Sequence, residues 1–305
     1  MKTIKPAWML MIVLLIATFG IQAFAESRWS SSVILGEGTS PKFIYGGNKL
    51  SLIFEGEDQF MQSFYQANGQ WSKPAPYGRH KRSLTAIDKS GIYHEIISRE
   101  DGVYHLSYEK NKWSPQVRID QKATPLYFYI DNNEVKHLVC VKSQSDKTDL
   151  IYKFQKKGDA WKTETIARNI QYFRDWQEPG VATSPSGGIY ICTYNDLYFR
   201  QNDNESWKHE KCRLDHVYMP VKMVCDSLGN IHFLFYSWAE RRNSSLNGLY
   251  YTIRNKSGKW NNAEKVGSNQ PSERIPTFIM YRNNELVAAW EDTNGNINVS
   301  MKKSD

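Results

Sequence analysis

Charged and aromatic residues gather in the polar segments that separate the apolar runs of this sequence. Arginine presents a planar fork of donors that matches a carboxylate or a phosphate, and tryptophan or tyrosine offers a flat apolar face to a sugar ring. Together these residue types suit an acidic saccharide. They also fit a solvated surface whose charges balance one another. The candidate ligand-binding residues are Arg82, Arg174, Trp176, Glu178, Tyr218, Arg274 and Glu291.

Three of these candidates lie in one long polar segment, Arg168 to Glu178. It holds two basic residues, three aromatic residues and two acids in eleven positions. Connections of this length are often functional. The segment is therefore the centre of the predicted site.

Three histidines follow an aspartate by six residues each: His94 after Asp88, His137 after Asp131 and His232 after Asp226. A metal site needs ligands that converge, whereas this spacing places each histidine on a different repeated unit. The sequence has no His-x-x-x-His or Cys-x-x-Cys spacing. We therefore expect structural histidines with backbone partners, no transition metal and no cofactor.

Four cysteines are present, Cys140, Cys192, Cys212 and Cys225, an even number that permits two disulfides in an exported chain. The predicted register lets Cys140 and Cys192 meet between two neighbouring units. It places Cys212 and Cys225 too far apart for a bridge. The favoured interpretation is four buried, apolar thiols.

Tryptophan reveals the elements that position all of these residues. Trp71, Trp113, Trp161, Trp207 and Trp260 each close a short polar turn, at spacings of 42, 48, 46 and 53 residues. A Tyr/Phe-rich strand precedes each turn, and another strand, introduced by Gly or Asn, precedes that one. Most units begin with a strand whose first residue is proline, and proline is tolerated at that position because no ladder donor is needed there. These prolines are Pro41, Pro125, Pro179, Pro220 and Pro276.

Four short strands in 40 to 50 residues is the size of a propeller blade. The sequence contains six second strands, but the sixth unit ends at Asp305 before any tryptophan. The missing strand lies at the other end of the chain, at Trp29 and Ser32 to Gly36. We therefore predict an all-β, six-bladed propeller over residues 26–305, closed by the N-terminal strand, with Trp29 beside Ile297 to Met301.

This pattern resembles the six-bladed propellers of the sialidase-like superfamily, including its repeat-containing lectins. Sialidase repeats carry an Asp-box, Ser-x-Asp-x-Gly-x-Thr-Trp. The nearest match here, Arg200 to Trp207, keeps only the Trp and a Ser in place of Thr, so no Asp-box is intact. The resemblance also implies a possible catalytic set, in which Arg274 binds a carboxylate, Glu178 activates Tyr218 as nucleophile and Asp175 is the acid/base.

Three classes of function follow. The favoured one is a binding module for an acidic glycan or cell-surface polymer, on the loops around the central channel. The alternatives are a sialidase-like glycoside hydrolase and a protein-docking scaffold. We expect a monomer that binds no nucleic acid, since the charge surplus is small.

The first 25 residues have the pattern of a leader peptide. Lys2 and Lys5 precede an apolar run, and Ala23-Phe24-Ala25 offers a signal peptidase site, so Glu26 is the predicted mature N-terminus. An uncleaved membrane anchor is the alternative. Removing the two lysines lowers the formal net charge from +7 to +5. We expect a secreted or extracytoplasmic protein without a later membrane span.

Overall fold

A computed structural model describes most of the chain after residue 28, and all structural statements below refer to this part. The described residues are 29–46, 49–78, 84–110, 112–131, 133–144, 147–170, 179–193, 196–202, 204–212, 217–237, 248–266, 276–282 and 285–302. The leader therefore lies outside them. No helix in these ranges is long and apolar enough to cross a membrane.

The described residues form antiparallel strands and contain no α-helix. In chain order, the first strand is β1 (Val33–Glu37). Blade 1 follows with β2 (Thr39–Gly46), β3 (Lys49–Glu55), β4 (Phe60–Phe64) and β5 (Ala75–Gly78). Blade 2 contains β6 (Leu84–Ile87), β7 (Tyr93–Arg99), β8 (Gly102–Glu109), β9 (Lys112–Trp113) and β10 (Val117–Asp120). Both β9 and β10 pair with β8, so the outer strand of blade 2 is interrupted.

The remaining blades follow the same plan. Blade 3 contains β11 (Thr124–Ile130), β12 (Lys136–Gln144), β13 (Lys147–Gln155) and β14 (Lys162–Ala167). Blade 4 contains β15 (Gly180–Thr183), β16 (Ile189–Thr193), β17 (Asp196–Arg200) and β18 (Lys208–Lys211). Blade 5 contains β19 (Val217–Cys225), β20 (Ile231–Ser237), β21 (Gly248–Arg254) and β22 (Glu264–Lys265). Blade 6 contains β23 (Thr277–Met280), β24 (Leu286–Glu291) and β25 (Asn296–Lys302), with β1 as its fourth strand.

The predicted ring closure is confirmed. Strand β1 pairs antiparallel with β25, and Val33 lies opposite Val299. Trp29 bridges Lys302 and is 7% exposed, packed among residues of blades 5 and 6. The N-terminal strand thus covers an edge that would otherwise be open to pairing.

Three of the five predicted first-strand prolines lie slightly deeper than predicted, whereas Pro179 and Pro276 directly precede β15 and β23. Pro41, Pro125 and Pro220 fall within β2, β11 and β19, one to three residues after the strand begins. Each coincides with an irregularity in the pairing to the second strand. Proline has no backbone N–H to donate to the ladder, and at a bulge one residue does not need to donate. The strand can therefore begin before the proline.

The hydrophobic core lies between the blades. Because side chains alternate across a strand, each sheet packs one face on the preceding blade and the other on the following blade. Five apolar clusters occupy the seams between blades 2 and 3, 3 and 4, 4 and 5, 5 and 6, and 6 and 1. Among the described residues, the seam between blades 1 and 2 has no such cluster.

This packing corrects the predicted meeting of Cys140 and Cys192. Cys140 belongs to the cluster between blades 2 and 3, and Cys192 to the cluster between blades 4 and 5. Each side chain therefore points away from the seam between blades 3 and 4. Their opposite parity was predicted correctly, but the faces were exchanged.

A cation on the third strand reaches a carboxylate on the outer edge of the preceding blade at four seams. The pairs are Lys153 with Asp120, Arg200 with Glu164, Arg254 with Glu210 and Lys302 with Glu264. All four cations are buried or nearly so. The contact joins neighbouring blades near their outer edges, beyond the apolar clusters.

Candidate functional site

The antiparallel order divides the turns between two faces of the propeller. Turns between second and third strands, and the connections between blades, lie on one face, which we call the rim. Turns between first and second strands, and between third and fourth strands, lie on the opposite face. First strands of neighbouring blades contact each other, for example β15 with β19, so they surround the axis.

Most of the predicted ligand-binding residues lie outside the described residues. These are Arg82, Arg174, Trp176, Glu178 and Arg274, together with the proposed acid/base Asp175. Tyr218 lies on β19, where its backbone pairs with Tyr236, but its side chain is not described. Their convergence at the channel mouth therefore stays a prediction.

Glu291 is the one predicted residue whose side chain is described. It ends β24 at the rim and is 7% exposed. The next residue, Asp292, orders the turn: Oδ1 accepts from the backbone N–H of Asn294 and of Asn296, at 2.9 and 3.0 Å. Burial alone would raise the pKa of Asp292, but these hydrogen bonds and one from the Asn298 amide hold it below its usual range. The turn is thus held in one conformation.

A second described group at the rim lies in the turn between β7 and β8. The guanidinium of Arg99 lies 5.6 Å from the centre of the Tyr104 ring. Tyr104 donates a hydrogen bond from Oη to Oδ2 of Asp101, at 2.5 Å, which raises the pKa of the tyrosine. Arg118 is paired with Tyr104 on the neighbouring strand. Basic and aromatic groups therefore do occur together at the rim of blade 2.

The three repeated histidines are buried near the opposite face. Each lies between its aspartate and a polar ring of the third strand, and we call these three groups the histidine relays. His232 Nε2 lies 3.1 Å from Asp226 Oδ2, and its Nδ1 lies 2.6 Å from the Tyr251 hydroxyl. If Nε2–H donates to the aspartate, Nδ1 is free to accept from the tyrosine. His137 contacts Asp131 and Tyr152 at 3.3 and 2.6 Å.

In the third relay a histidine replaces the tyrosine. His94 lies 3.3 Å from Asp88 and 3.0 Å from His105. The partners of all three histidines are therefore side chains rather than the predicted backbone groups. Burial lowers the pKa of His232 and of His94, against the effect of their aspartates.

These relays resemble a catalytic arrangement, but their surroundings argue for a structural role. Tyr152 and Tyr251 are buried, and burial raises the pKa of Tyr251, so its hydroxyl stays protonated. Tyr152 is 0% and Tyr251 is 3% exposed, so a substrate in solution does not reach their hydroxyls. Among the described residues, no group of three His, Cys, Asp or Glu side chains could hold a metal ion.

A row of aromatic rings crosses the outer part of blade 2 near the opposite face. Tyr93 pairs with Tyr108, and Tyr108 pairs with Trp113, so the three side chains lie on one face of the sheet. The Trp113 ring lies 5.0 Å from the Tyr108 ring and 6.1 Å from the Tyr93 ring. Trp113 is 42% exposed and Tyr108 is 38% exposed. We call these three residues the aromatic row.

The aromatic row faces blade 1. Ile96 and Val103 have the opposite parity and pack toward blade 3. At three other seams the blade tryptophan contacts a ring of the preceding blade: Trp161 with His105, Trp207 with Tyr152 and Trp29 with Tyr251. In blade 1 the corresponding third-strand residue is Gln62, whose amide donates to Ser51 Oγ at 3.1 Å.

Sequence reasoning missed the aromatic row because it treated every blade tryptophan as equivalent. A signal was present: at this third-strand position blade 1 has the polar Gln62, whereas blades 2, 3 and 5 have a histidine or tyrosine and blade 4 has a leucine. Gln62 offers no ring for Trp113 to pack on, and 42% of the Trp113 surface stays exposed.

The similarity of this chain to known proteins lies in its fold. No family model matches the chain, and no curated protein matches it in sequence. Among solved structures, a lectin from Aleuria aurantia in complex with Fucα1-6GlcNAc is 12% identical, with 88% of this chain and 94% of the lectin covered and a TM-score of 0.59.

Two other solved structures share the fold. A neuraminidase-like protein from A/little yellow-shouldered bat/Guatemala is 8% identical, with 91% of this chain and 98% of that chain covered and a TM-score of 0.56. A luciferin-regenerating enzyme is 10% identical, with 89% and 92% covered and a TM-score of 0.54. At these identities the likeness concerns architecture, and this chain is similar to all three as a β-propeller.

Proposed function

We propose that this protein is an exported carbohydrate-binding propeller. The observation that carries the proposal is the aromatic row. The two exposed rings of the row, Trp113 and Tyr108, offer flat apolar faces on which the C–H groups of a sugar ring stack, while hydroxyls at the sugar edge remain in water. A large exposed aromatic face on a soluble protein is a candidate interaction site. The fucose-containing complex of the Aleuria aurantia lectin shows that a propeller of similar architecture binds a glycan.

The rim is a second proposed site, separate from the aromatic row near the opposite face, and it would bind an acidic saccharide. Arg82, Arg174 and Arg274 would take the carboxylate, and Trp176 would stack on the ring, with Glu178, Tyr218 and Glu291 as polar neighbours. The mature chain has a formal charge of +5, which favours an anionic ligand. Arg99 beside Tyr104 supports the proposal because it shows the same pairing of residue types on this face.

Export is the second part of the proposal. The leader would direct the chain across a membrane and be cleaved after Ala25. The protein would then meet glycans or a cell-surface polymer outside the cytoplasm. N-terminal sequencing of the protein secreted by its host tests this part, and a chain that still begins at Met1 contradicts cleavage.

Glycan-array binding of residues 26–305 tests the function. Trp113→Ala removes the centre of the aromatic row, and Leu228→Ala is the matched control, since Leu228 is an exposed apolar residue of blade 5. We expect Trp113→Ala to weaken the binding of neutral glycans by roughly five- to 150-fold, because one stacking contact is worth about 1–3 kcal/mol. Leu228→Ala should bind as the wild type does.

The rim is tested with the double variant Arg174→Ala/Arg274→Ala. We expect it to lose acidic glycans selectively, whereas Lys208→Ala, an exposed cation on the outer edge of blade 4, should not. A wild-type protein that binds no glycan, or binding unaffected by all these variants, contradicts the proposal. If the wild type hydrolyses a sialoside and Tyr218→Phe does not, the protein is the sialidase-like glycoside hydrolase and the binding-module proposal is wrong.

A further inference from the structure

Two cysteines of blade 4 lie against each other in the apolar seam with blade 5. Cys192 is on β16, and Cys212 directly follows β18, at the outer edge of the same sheet. Their Sγ atoms are 3.1 Å apart. Cys192 is 0% exposed and Cys212 is 8% exposed.

The local fold explains how residues on the second and fourth strands can meet. Cys192 pairs with Leu197 on β17, and Leu197 pairs with Glu210 on β18. Cys212 is two residues after Glu210, so the alternation of side chains along a strand places it on the same sheet face as Leu197 and Cys192. Cys192, Leu197 and Cys212 all belong to the cluster packed on Val221 and Phe233 of blade 5.

The distance between the sulfurs is the central observation. An S–S bond is about 2.05 Å long, so a movement of about 1 Å converts the contact of 3.1 Å into a bond. The other two cysteines have different surroundings. Cys140 lies in the seam between blades 2 and 3, and Cys225 lies against the same cluster as the pair with its Sγ 3.5 Å from the Asp226 carbonyl oxygen.

We propose that Cys192 and Cys212 form an intrachain disulfide as blade 4 folds. The oxidant is a disulfide, either of a thiol–disulfide oxidoreductase or of glutathione. One cysteine thiolate attacks it and forms a mixed disulfide, releasing one thiol of the oxidant. The other cysteine thiolate then displaces the second thiol, so the protein loses two hydrogen atoms and the oxidant gains them.

The folded state explains when this exchange takes place. The hydrogen bond with Cys212, followed by burial, holds the pKa of Cys192 well above its usual range. A protonated, buried thiol is a poor nucleophile. The bond therefore forms before blade 5 covers the pair, and the finished fold then protects it from reducing agents.

The disulfide would fix a part of the propeller that has short strands. β18 is only four residues long and belongs to the outer edge of blade 4. The bond closes a loop between residues 20 apart in sequence. It ties the outer edge of this blade to its second strand, and it does not depend on what the propeller binds.

The test begins with refolding of the denatured, reduced full chain in a buffer of reduced and oxidised glutathione. The product is denatured in acid, alkylated and digested, and its peptides are analysed by mass spectrometry without reduction. We expect a peptide that joins Cys192 to Cys212, with Cys140 and Cys225 alkylated. Alkylation of all four cysteines, or a bond that includes Cys140 or Cys225, overturns the proposal.

A stability measurement makes the test independent of a poorly folding variant. Wild type refolded with glutathione should melt roughly 5–10 °C higher than wild type refolded with a phosphine reductant. Cys192→Ala should melt at the same temperature under both conditions, whereas Cys140→Ala, which also loses a buried thiol, should keep the full difference. A wild-type melting temperature that is equal under both conditions contradicts the proposal.

Discussion

The seam between blades 5 and 6 and the seam between blades 1 and 2 are built from the same strand positions but hold different residues. In the first, the rings of Trp29 and Tyr251 meet edge to face with their centres 5.5 Å apart, and the Lys302 ammonium lies 4.8 Å from the centre of the Tyr251 ring. Lys302 also pairs with Glu264 on the outer edge of blade 5. In the second, Gln62 takes the place of the tyrosine, and Trp113 remains half-exposed.

The difference shows where the ring concentrates its stabilising contacts. Blade 6 is completed by a strand from the other end of the chain, so the seam that contains Trp29 must hold both termini together. The seam between blades 1 and 2 holds no terminal strand in place and can be weaker. The space left there exposes the aromatic row, which connects the packing of the fold to the proposed binding surface.

Deleting residues 26–36 should lower the free energy of unfolding more than any other change to these seams. It removes Trp29 and most of β1, and loss of one large buried aromatic alone costs roughly 3–5 kcal/mol. We expect cooperative unfolding, measured by circular dichroism during urea titration. Val33→Ser is the matched control, because Val33 is on the same strand but 51% exposed, and it should change the free energy of unfolding by less than about 1 kcal/mol. An unchanged midpoint for the deletion would show that β1 does not close the ring.

Acid should produce the next largest effect, through the seams that contain histidine relays. Burial lowers the pKa of His105 to about 3. His105 therefore stays neutral in the folded protein at a pH where the unfolded chain, with a histidine pKa near 6.5, is protonated. Its stabilising contribution is complete above pH 6.5 and is lost as the pH falls below that value. At pH 5 the expected loss from His105 is about 2 kcal/mol.

The lowered pKa values of His94 and His232 act in the same direction. Urea unfolding between pH 8 and pH 5 checks this, with a flat stability curve above pH 7 as the internal control. The variant His105→Phe should show a shallower fall, because it removes the group at the seam between blades 2 and 3. Equal slopes in both proteins would mean that the relays do not set the acid sensitivity.

The regular part of this fold was accessible from sequence because each blade repeats its own signals. Tryptophan spacing, glycine turns and the surplus strand at the N-terminus predicted six blades and the pairing of β1 with β25. The prolines marked the first strands but not their starts, since a bulge at Pro125 lets β11 begin earlier. The repeat therefore predicts the number of strands more accurately than the residues at which they begin and end.

Side-chain meetings between strands were harder to predict. The contact of Cys192 with Cys212 joins the second strand of blade 4 to the residue that follows its fourth strand, and no repeated sequence signal marks these two positions as neighbours. The openness of Trp113 depends on Gln62 in the neighbouring blade, more than forty residues earlier in the sequence. The rim residues lie on loops whose lengths differ between blades, so their convergence cannot follow from the repeat.

Arg254→Met should have an intermediate effect, because it breaks a charged contact between blades 4 and 5. Arg254 donates to both carboxylate oxygens of Glu210, from Nε at 2.7 Å and from Nη2 at 3.0 Å, while its guanidinium lies over the Phe199 ring. We expect a loss of about 2 kcal/mol, less than for a fully buried pair, since Glu210 is partly exposed and can be rehydrated.

Lys157→Met is the matched control for this prediction. It removes the same charge from an exposed pair with Glu134 at a similar distance of 2.9 Å. Its cost should be below about 1 kcal/mol, as is usual for surface ion pairs. Equal losses in the two variants would show that burial between blades adds nothing to the contact.

The smallest effect on stability is expected for Trp113→Ala, although tryptophan is the largest side chain of the repeat. Its ring contacts Tyr93 and Tyr108 of its own blade and keeps 42% of its surface exposed, so its removal leaves an open surface rather than a closed cavity. The free energy of unfolding should fall by about 1 kcal/mol, against roughly 3–5 kcal/mol for Trp29→Ala. Paired urea titrations of the two variants measure the contrast. A loss at Trp113 as large as that at Trp29 would mean that blade 1 covers the ring and that the aromatic row has no open face for a sugar.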